Sequence, residues 1–369
     1  MTGREHINEA TAVAGVLRRE GSRALHRFAT VFALVAALAI VLGAVLSAAH
    51  AAGLFKVTQY KVPTANSEPR YIAPGSDGNL WFTEGAEFFT PDPDPEMGGT
   101  FHTQIGRITP AGRITEFRVD GCQCFLNDIV QGPGGVLYVT TNSNTLVRIT
   151  TAGDVLPFVE TPFSVGDSLA RRGDDLWIND FNTGSIWRYN VPTGNFTEFP
   201  TGSTPSGVAV DAQGIVWFSG TDADGAGQIG RLDPATGAVN ATPVAGSRPG
   251  QIAVASDGKV WFTDRFSHIV GHLDPSNNNR VTQFATLTPD AGPQDIAAAN
   301  DGSMWFTQAT VGNVARITPD GTITEAGKAV KDDPRSGLES AFGIAVFPDD
   351  QSVWFTKPAD NMVAALRPR

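Results

Sequence analysis

The chain has 369 residues, a formal net charge of −11 at pH 7, 41% hydrophobic and 18% charged residues, and two cysteines. So acidic a chain, with no basic tract outside its first residues, is a poor match for phosphate backbones, which excludes nucleic-acid binding. Its 40 Gly and 24 Pro are spread between apolar runs, a pattern of frequent tight turns in an all-β fold rather than of disorder.

Residues 1–53 stand apart. Arg4, Arg18, Arg19, Arg23 and Arg27 precede Phe28 to Ala49, which carries no charge. At about 1.5 Å per residue such a run spans a ~30 Å hydrocarbon core. The Arg-rich flank belongs in the cytoplasm, so residues 54–369 are expected to be exported. Ala49-His50-Ala51 fits a small-x-small cleavage site, leaving a signal peptide and a retained anchor helix both open; the membrane is expected to be met only here. Arg18-Arg19 has the twin-arginine letters, but Glu20-Gly21-Ser22 follows where an apolar segment belongs.

FKVTQYKVP, residues 55 to 63, reads as a strand with no partner nearby, and after it the chain repeats itself. NLWFTE (79 to 84) returns as VLYVTT, DLWIND, IVWFSG, KVWFTD, SMWFTQ and SVWFTK, seven copies in all. An aliphatic run precedes each copy, usually across a turn such as Asp77-Gly78 or Asp257-Gly258, the signature of a hairpin. A third run such as QIGRIT (104 to 109) and a fourth such as RITEFRV (113 to 119) follow. Four short strands recurring every ~40–45 residues describe a β-propeller blade. The seventh unit stops after three strands, and residues 55–63 are expected to complete it and close the ring. Residues 54–369 therefore read as one seven-bladed β-propeller with four-stranded blades.

The repeated aromatics need no chemistry, because packing between blades explains them. The last residue of each copy varies: Glu84, Thr141, Asp180, Gly220, Asp264, Gln308 and Lys357. Hairpin geometry places these positions beside Arg70, Asn127, Asp167, Ser206, Gly250, Gln294 and Phe342, two residues before each inner-strand aliphatic. Both sets are expected at the mouth of the central channel, the usual ligand site of such a concave assembly. An acidic cluster there is suited to Mg²⁺ or Ca²⁺, or to pairing with Arg70 and Lys357.

With the repeats laid out, residues 54–369 resemble the virginiamycin B lyase (streptogramin lyase) family of seven-bladed propellers, through the WFTE, IGRITP-x-G and ITEF elements. The resemblance implies elimination at the ester of a cyclic depsipeptide, assisted by Mg²⁺, with histidine transferring the proton from an E-P-H-x-I segment. Glu68-Pro69-Arg70-Tyr71-Ile72 and Trp81-Phe82-Thr83-Glu84 match the two glutamate positions, so Glu68 and Glu84 are the implied metal ligands. The histidine position is Arg70, and none of the seven mouth positions is histidine. Arginine stays protonated above pH 12 and cannot exchange a proton as histidine does near neutrality.

Two functions stay open on the sequence. One is a metal-assisted lyase or hydrolase of a cyclic ester or lactone, with Asp167 as base and Arg70 the other catalytic candidate. The other is a non-enzymatic, monomeric exported propeller that binds a small molecule, peptide, glycan or protein partner at a rim of Arg70, Asn127, Asp167, Asp180, Asp264, Gln294, Gln308 and Lys357. His268 and His272, four apart, read as neighbours on one face of a third strand. The insertion at 85 to 102, with Asp92, Asp94 and Glu96, reads as a stiff acidic lid. Cys122 and Cys124 read as structural or incidental thiols rather than a soft-metal site, with pairing across one residue left open because it closes a strained ring.

Overall fold

A computed structural model describes residues 55–91, 99–122, 124–326 and 340–368. The expected signal or anchor helix and the tip of the 85 to 102 insertion lie outside the described residues. No helix among them is long and apolar enough to cross a membrane. They form seven four-stranded antiparallel sheets. The innermost strands, blade by blade, are Pro69–Pro74, Leu126–Gln131, Leu169–Arg172, Thr204–Val210, Ile252–Val254, Pro293–Ala298 and Ile344–Val346. Blade 7 takes its outer strand from the start of the described chain: Phe55–Lys61 pairs with Met362–Pro368, as the unpartnered strand predicts.

The repeated WFT element holds the ring together because successive residues of a strand face opposite sides. Each tryptophan points forward into the next blade. Trp81 packs with Leu126, Ile129 and Leu137 of blade 2, and Trp261 with Ile296 and Met304 of blade 6. Each phenylalanine points back, as Phe82 does onto Trp354 and Val363 of blade 7. The turn aspartates steady the indoles, with Trp81 Nε1 donating to Asp77 Oδ1 at 3.2 Å and Trp217 Nε1 to Asp211 Oδ2 at 2.9 Å. The glycine of the third strand follows from the same packing, since a Cβ at Gly106 would lie 2.0 Å from Phe82 Cζ.

The third letter carries a relay between blades. Thr307 Oγ1 accepts from the Asp295 N–H at 3.0 Å and donates to the Phe342 carbonyl of blade 7 at 2.6 Å. Thr356 accepts from the Gly343 N–H at 2.9 Å and donates to the Arg70 carbonyl of blade 1. Asn179 does the same for blade 4 through Pro205. Each hydroxyl or amide thus satisfies buried backbone on two blades at once. ITEF carries a second clamp, in which Glu116 accepts from Thr64 N–H at 2.8 Å and Thr64 Oγ1 at 3.0 Å. At the closing seam, Asn361 accepts from Ser67 N–H and Oγ and donates to the Val62 and Thr64 carbonyls.

The insertion lengthens a hairpin rather than forming a separate loop, because Leu80–Pro91 pairs with Gly99–Ile108 out to Pro91 opposite Gly99. Cys122 and Cys124 are joined in a disulfide in the loop leading to blade 2, both buried beneath Trp81 and Tyr71.

Candidate functional site: the channel mouth

The inner strands of blades 1, 2, 4 and 6 break register just before their aliphatic residue, between Pro69 and Ile72, Leu126 and Ile129, Pro205 and Val208, and Pro293 and Ile296. Such a break turns two side chains out of the ladder. The first of each pair meets its neighbours at the mouth. Asn127 Nδ2 donates to Asp167 Oδ1 at 3.0 Å, Arg265 to Gln294 Oε1 at 3.2 Å, and the Arg70 guanidinium lies 5.2 Å from the centre of the Phe342 ring. Arg70, Asn127, Asp167 and Gln294 thus stand on or just before the inner strands, and Asp167 and Gln294 line the mouth cavity described below. Burial pushes the Asp167 carboxyl above its usual value, and the Arg70 guanidinium pulls it back.

The next residues along, Tyr71, Asp128, Ser168, Gln251 and Asp295, form a polar layer one step deeper. Ser168 Oγ donates to Gln251 Oε1 at 3.3 Å, and Gln251 Nε2 to the Tyr71 hydroxyl at 3.1 Å, a chain crossing from blade 3 through blade 5 to blade 1. Asp128 accepts from Ile129 N–H and from Leu169 N–H of blade 3, and Asp295 from Ile296 N–H and Ile344 N–H of blade 7. Burial pushes the Asp295 carboxyl up to about 7 against those two bonds. Asp128 is pushed well above the carboxylate range by burial and then by the Asp295 charge. The Tyr71 phenol rises well above its ordinary value through burial and the charges of Asp128, Asp295 and Asp167. These two aspartates staple blades together at the foot of the mouth.

The variable residues after WFT do not join this rim. Glu84, Asp180, Asp264 and Gln308 are fully buried and Lys357 nearly so. The period of two explains it: the fourth residue shares a face with the phenylalanine, so it points between blades and not into the channel. Asp180 accepts from Asn182 N–H and from Thr183 N–H and Oγ1, closing its own turn. Asp264 likewise accepts from Ser247 Oγ and from the N–H groups of Arg248, Phe266 and Ser267. Gln308 donates to Glu325 at 3.2 Å, and Lys357 is ion-paired with Asp360.

Glu84 sits at the seam with blade 7, and neither of its oxygens accepts a hydrogen bond. Burial first and the Glu116 charge second push it up to about 8, against a small opposing pull from the Ser67 hydroxyl, which is aimed at Asn361. A divalent cation fits poorly here. Neither Glu68 nor Glu84 lines the mouth cavity, and among the described residues no three His, Cys, Asp or Glu side chains converge. The histidines do not meet either. His268 precedes its strand with φ of +55°, near Asp290, while His272 packs on Trp261 with ring centres 4.7 Å apart.

What the mouth does hold is a cavity of about 510 Å³ on the side of blades 3 to 6, lined among others by Tyr71, Asp167, Phe181, Arg248, Arg265 and Phe266. Four large apolar side chains are exposed among the described residues, Phe125, Phe181, Phe266 and Leu287. All four stand on loops of this mouth face. The sequence reading missed Phe181, Arg265 and Phe266, although they lie within two residues after the variable residues Asp180 and Asp264. Variation continuing past the structural residue is the signal that marks them.

The chain matches the Virginiamycin B lyase family model over residues 51–201 and 168–369. A streptogramin B lyase structure is similar at 22% identity with a TM-score of 0.71, covering 86% of this chain and 99% of the other. A selenomethionine-substituted virginiamycin B lyase from Staphylococcus aureus is similar at 22% identity with a TM-score of 0.69, covering 85% and 99%. A catalytically inactive variant of the S. aureus enzyme with quinupristin is similar at 21% identity, again with a TM-score of 0.69 and covering 85% and 99%. At such identities the likeness to solved structures carries the fold alone. No curated protein matches the chain.

Proposed function

The chain belongs to the virginiamycin B lyase family, and we propose that within this family it is an extracytoplasmic ligand-binding propeller, whose ligand is a small molecule, peptide or glycan held at the channel mouth. The observation that carries this reading is the cavity of about 510 Å³ with its convergent Tyr71, Asp167, Arg248 and Arg265 and its exposed aromatics. An apolar lining with a few fixed polar groups is the ordinary composition of a ligand site. A metal-assisted lyase would need several carboxylates converging at that mouth, where Asp167 stands without Glu68 or Glu84. Asp167 supports a second reading, a lyase or hydrolase that uses this carboxylate as base, because burial raises its proton affinity.

A thermal-shift screen of the whole chain against peptide, glycan and cyclic depsipeptide collections tests both. Ser206 is exposed on the cavity wall, so Ser206→Trp fills the space without touching the core. Hits are expected to vanish in that variant; hits that survive it place the site elsewhere and overturn the reading. Turnover of any hit that stops in Asp167→Asn, with binding retained, decides for the enzyme.

A further inference from the structure

We infer that the mouth continues into a groove between blades 4 and 5 that holds an extended peptide bearing an acidic side chain beside an aromatic one; this rests on the mouth-binding reading above. A second cavity of about 510 Å³ is lined by Gly225, Gly227, Val244, Gly246, Arg248 and Phe266. Arg248 and Phe266 line both cavities, so the two spaces meet at these side chains and reach Pro243, the last residue of the outer strand of blade 4, Ala238–Pro243. The groove is open for a backbone reason. A Cβ at Gly227 would lie 2.0 Å from the Ser247 carbonyl oxygen, and Gly225 and Gly246 have φ of +79° and +68°. The chain path there admits glycine, and glycine leaves the space unfilled.

The two side chains at the junction are held ready by one buried group. Asp264 Oδ2 accepts from the Arg248 N–H at 2.6 Å, and Oδ1 from the Phe266 N–H at 3.0 Å. Both loops are thus fixed before a ligand arrives, which lowers the ordering cost of binding. The Arg248 guanidinium has no hydrogen bond or ion pair among the described residues, and Phe266 is 79% exposed. In a chain of net charge −11, the charged side chain that lines both cavities among the described residues is the cation Arg248. That contrast selects an anionic group, which a guanidinium grips through paired hydrogen bonds. An arginine beside an aromatic is also the pairing that dominates binding hot spots. An acidic glycan satisfies the arginine but offers no aromatic to Phe266, whereas adjacent residues of a peptide satisfy both.

The test is a fluorescently labelled positional-scanning hexapeptide library on the whole chain, with tetragalacturonate as the anionic glycan. Asp or Glu next to an aromatic is expected to be enriched. Arg248→Ala, an exposed change that spares the core, should weaken the enriched peptides about tenfold and erase the acid preference, with Arg248→Lys between. Phe266→Ala should erase the aromatic preference. Peptides that bind without acid enrichment, or unaffected by Arg248→Ala yet lost in Ser206→Trp, overturn the groove and leave the mouth reading standing. Binding that survives both Arg248→Ala and Ser206→Trp overturns the two together, whereas the absence of any enrichment in a chain that also ignores the glycan overturns the groove alone. Tetragalacturonate binding that depends on Arg248, with no peptide enriched, overturns the peptide in favour of a glycan.

Discussion

Glu84 and Asp264 occupy the same slot of the same repeat and are both fully buried, yet their carboxyls live in opposite conditions. Burial works against ionisation of Asp264, but hydrogen bonds from Ser247, Ser267 and Arg248 hold its carboxyl below the ordinary value. Glu84 accepts none and is pushed up to about 8. The cause is local. Asp264 ends its strand at a tight turn whose N–H groups point at it. Blade 1 carries the insertion, so the strand of Glu84 continues to Pro91 and there is no turn to cap. A scaffold position can therefore hold an acid for two unlike reasons, and its environment, not its letter, decides whether it is charged.

The sharpest way to break the contrast is Asp264→Ala. It removes the acceptor of four hydrogen bonds and leaves buried N–H groups unsatisfied, a loss of about 3–4 kcal/mol. Urea denaturation should show the midpoint fall with an unchanged slope. A loss below about 1 kcal/mol would mean that the loop finds other partners and that Arg248 and Phe266 are not held by this group.

Glu84→Gln should act the other way. With its folded value near 8 and an ordinary value near 4.5, the native state holds a proton that the unfolded chain releases between those limits. Stability from this group is therefore greatest below about pH 4.5, falls as pH rises toward 8, and is level above it. The amide has no such penalty, so the variant should gain on the wild type steadily from pH 5 to 8, reaching about 3 kcal/mol. Blade 6 already has this arrangement, since Gln308 donates to Glu325 as an amide at 84 would to Glu116. Asp128, Asp167 and Asp295, all raised by burial, leave the variant a residual slope of the same sign. A stability difference that does not change with pH would show that Glu84 is ionised in the folded chain.

The contrast also marks what was legible beforehand. Blade number, strand order and ring closure were readable because each is repeated seven times or forced by an unpartnered strand at residues 55–63. The inner-strand positions Arg70, Asn127, Asp167 and Gln294 were found by counting from the aliphatic residues. The residues after WFT were misplaced because a hairpin argument locates the end of a strand but not the face of its last side chain. That face was available from the period of two, with Phe82 as reference. The Asn361 clasp was hidden because it joins residues nearly 300 positions apart through a left-handed residue with φ of +55°, a role any loop asparagine can fill.

The smallest expected effect comes from the mouth itself. Phe181 directly follows Asp180 but is 46% exposed, whereas Asp180 is fully buried. If the repeat divides labour as proposed, with the buried carboxylate building the turn and the next residue meeting the ligand, then Phe181→Ser should change stability by no more than about 0.5 kcal/mol. The wild-type pH dependence of unfolding should persist, because Glu84 and Asp295, which contribute to it, lie in blades 1 and 6. Affinity for any mouth ligand should drop severalfold in the same variant. A loss of stability above about 1 kcal/mol with affinity intact would place Phe181 with the scaffold, and the boundary between framework and site would then lie one residue further out along this loop.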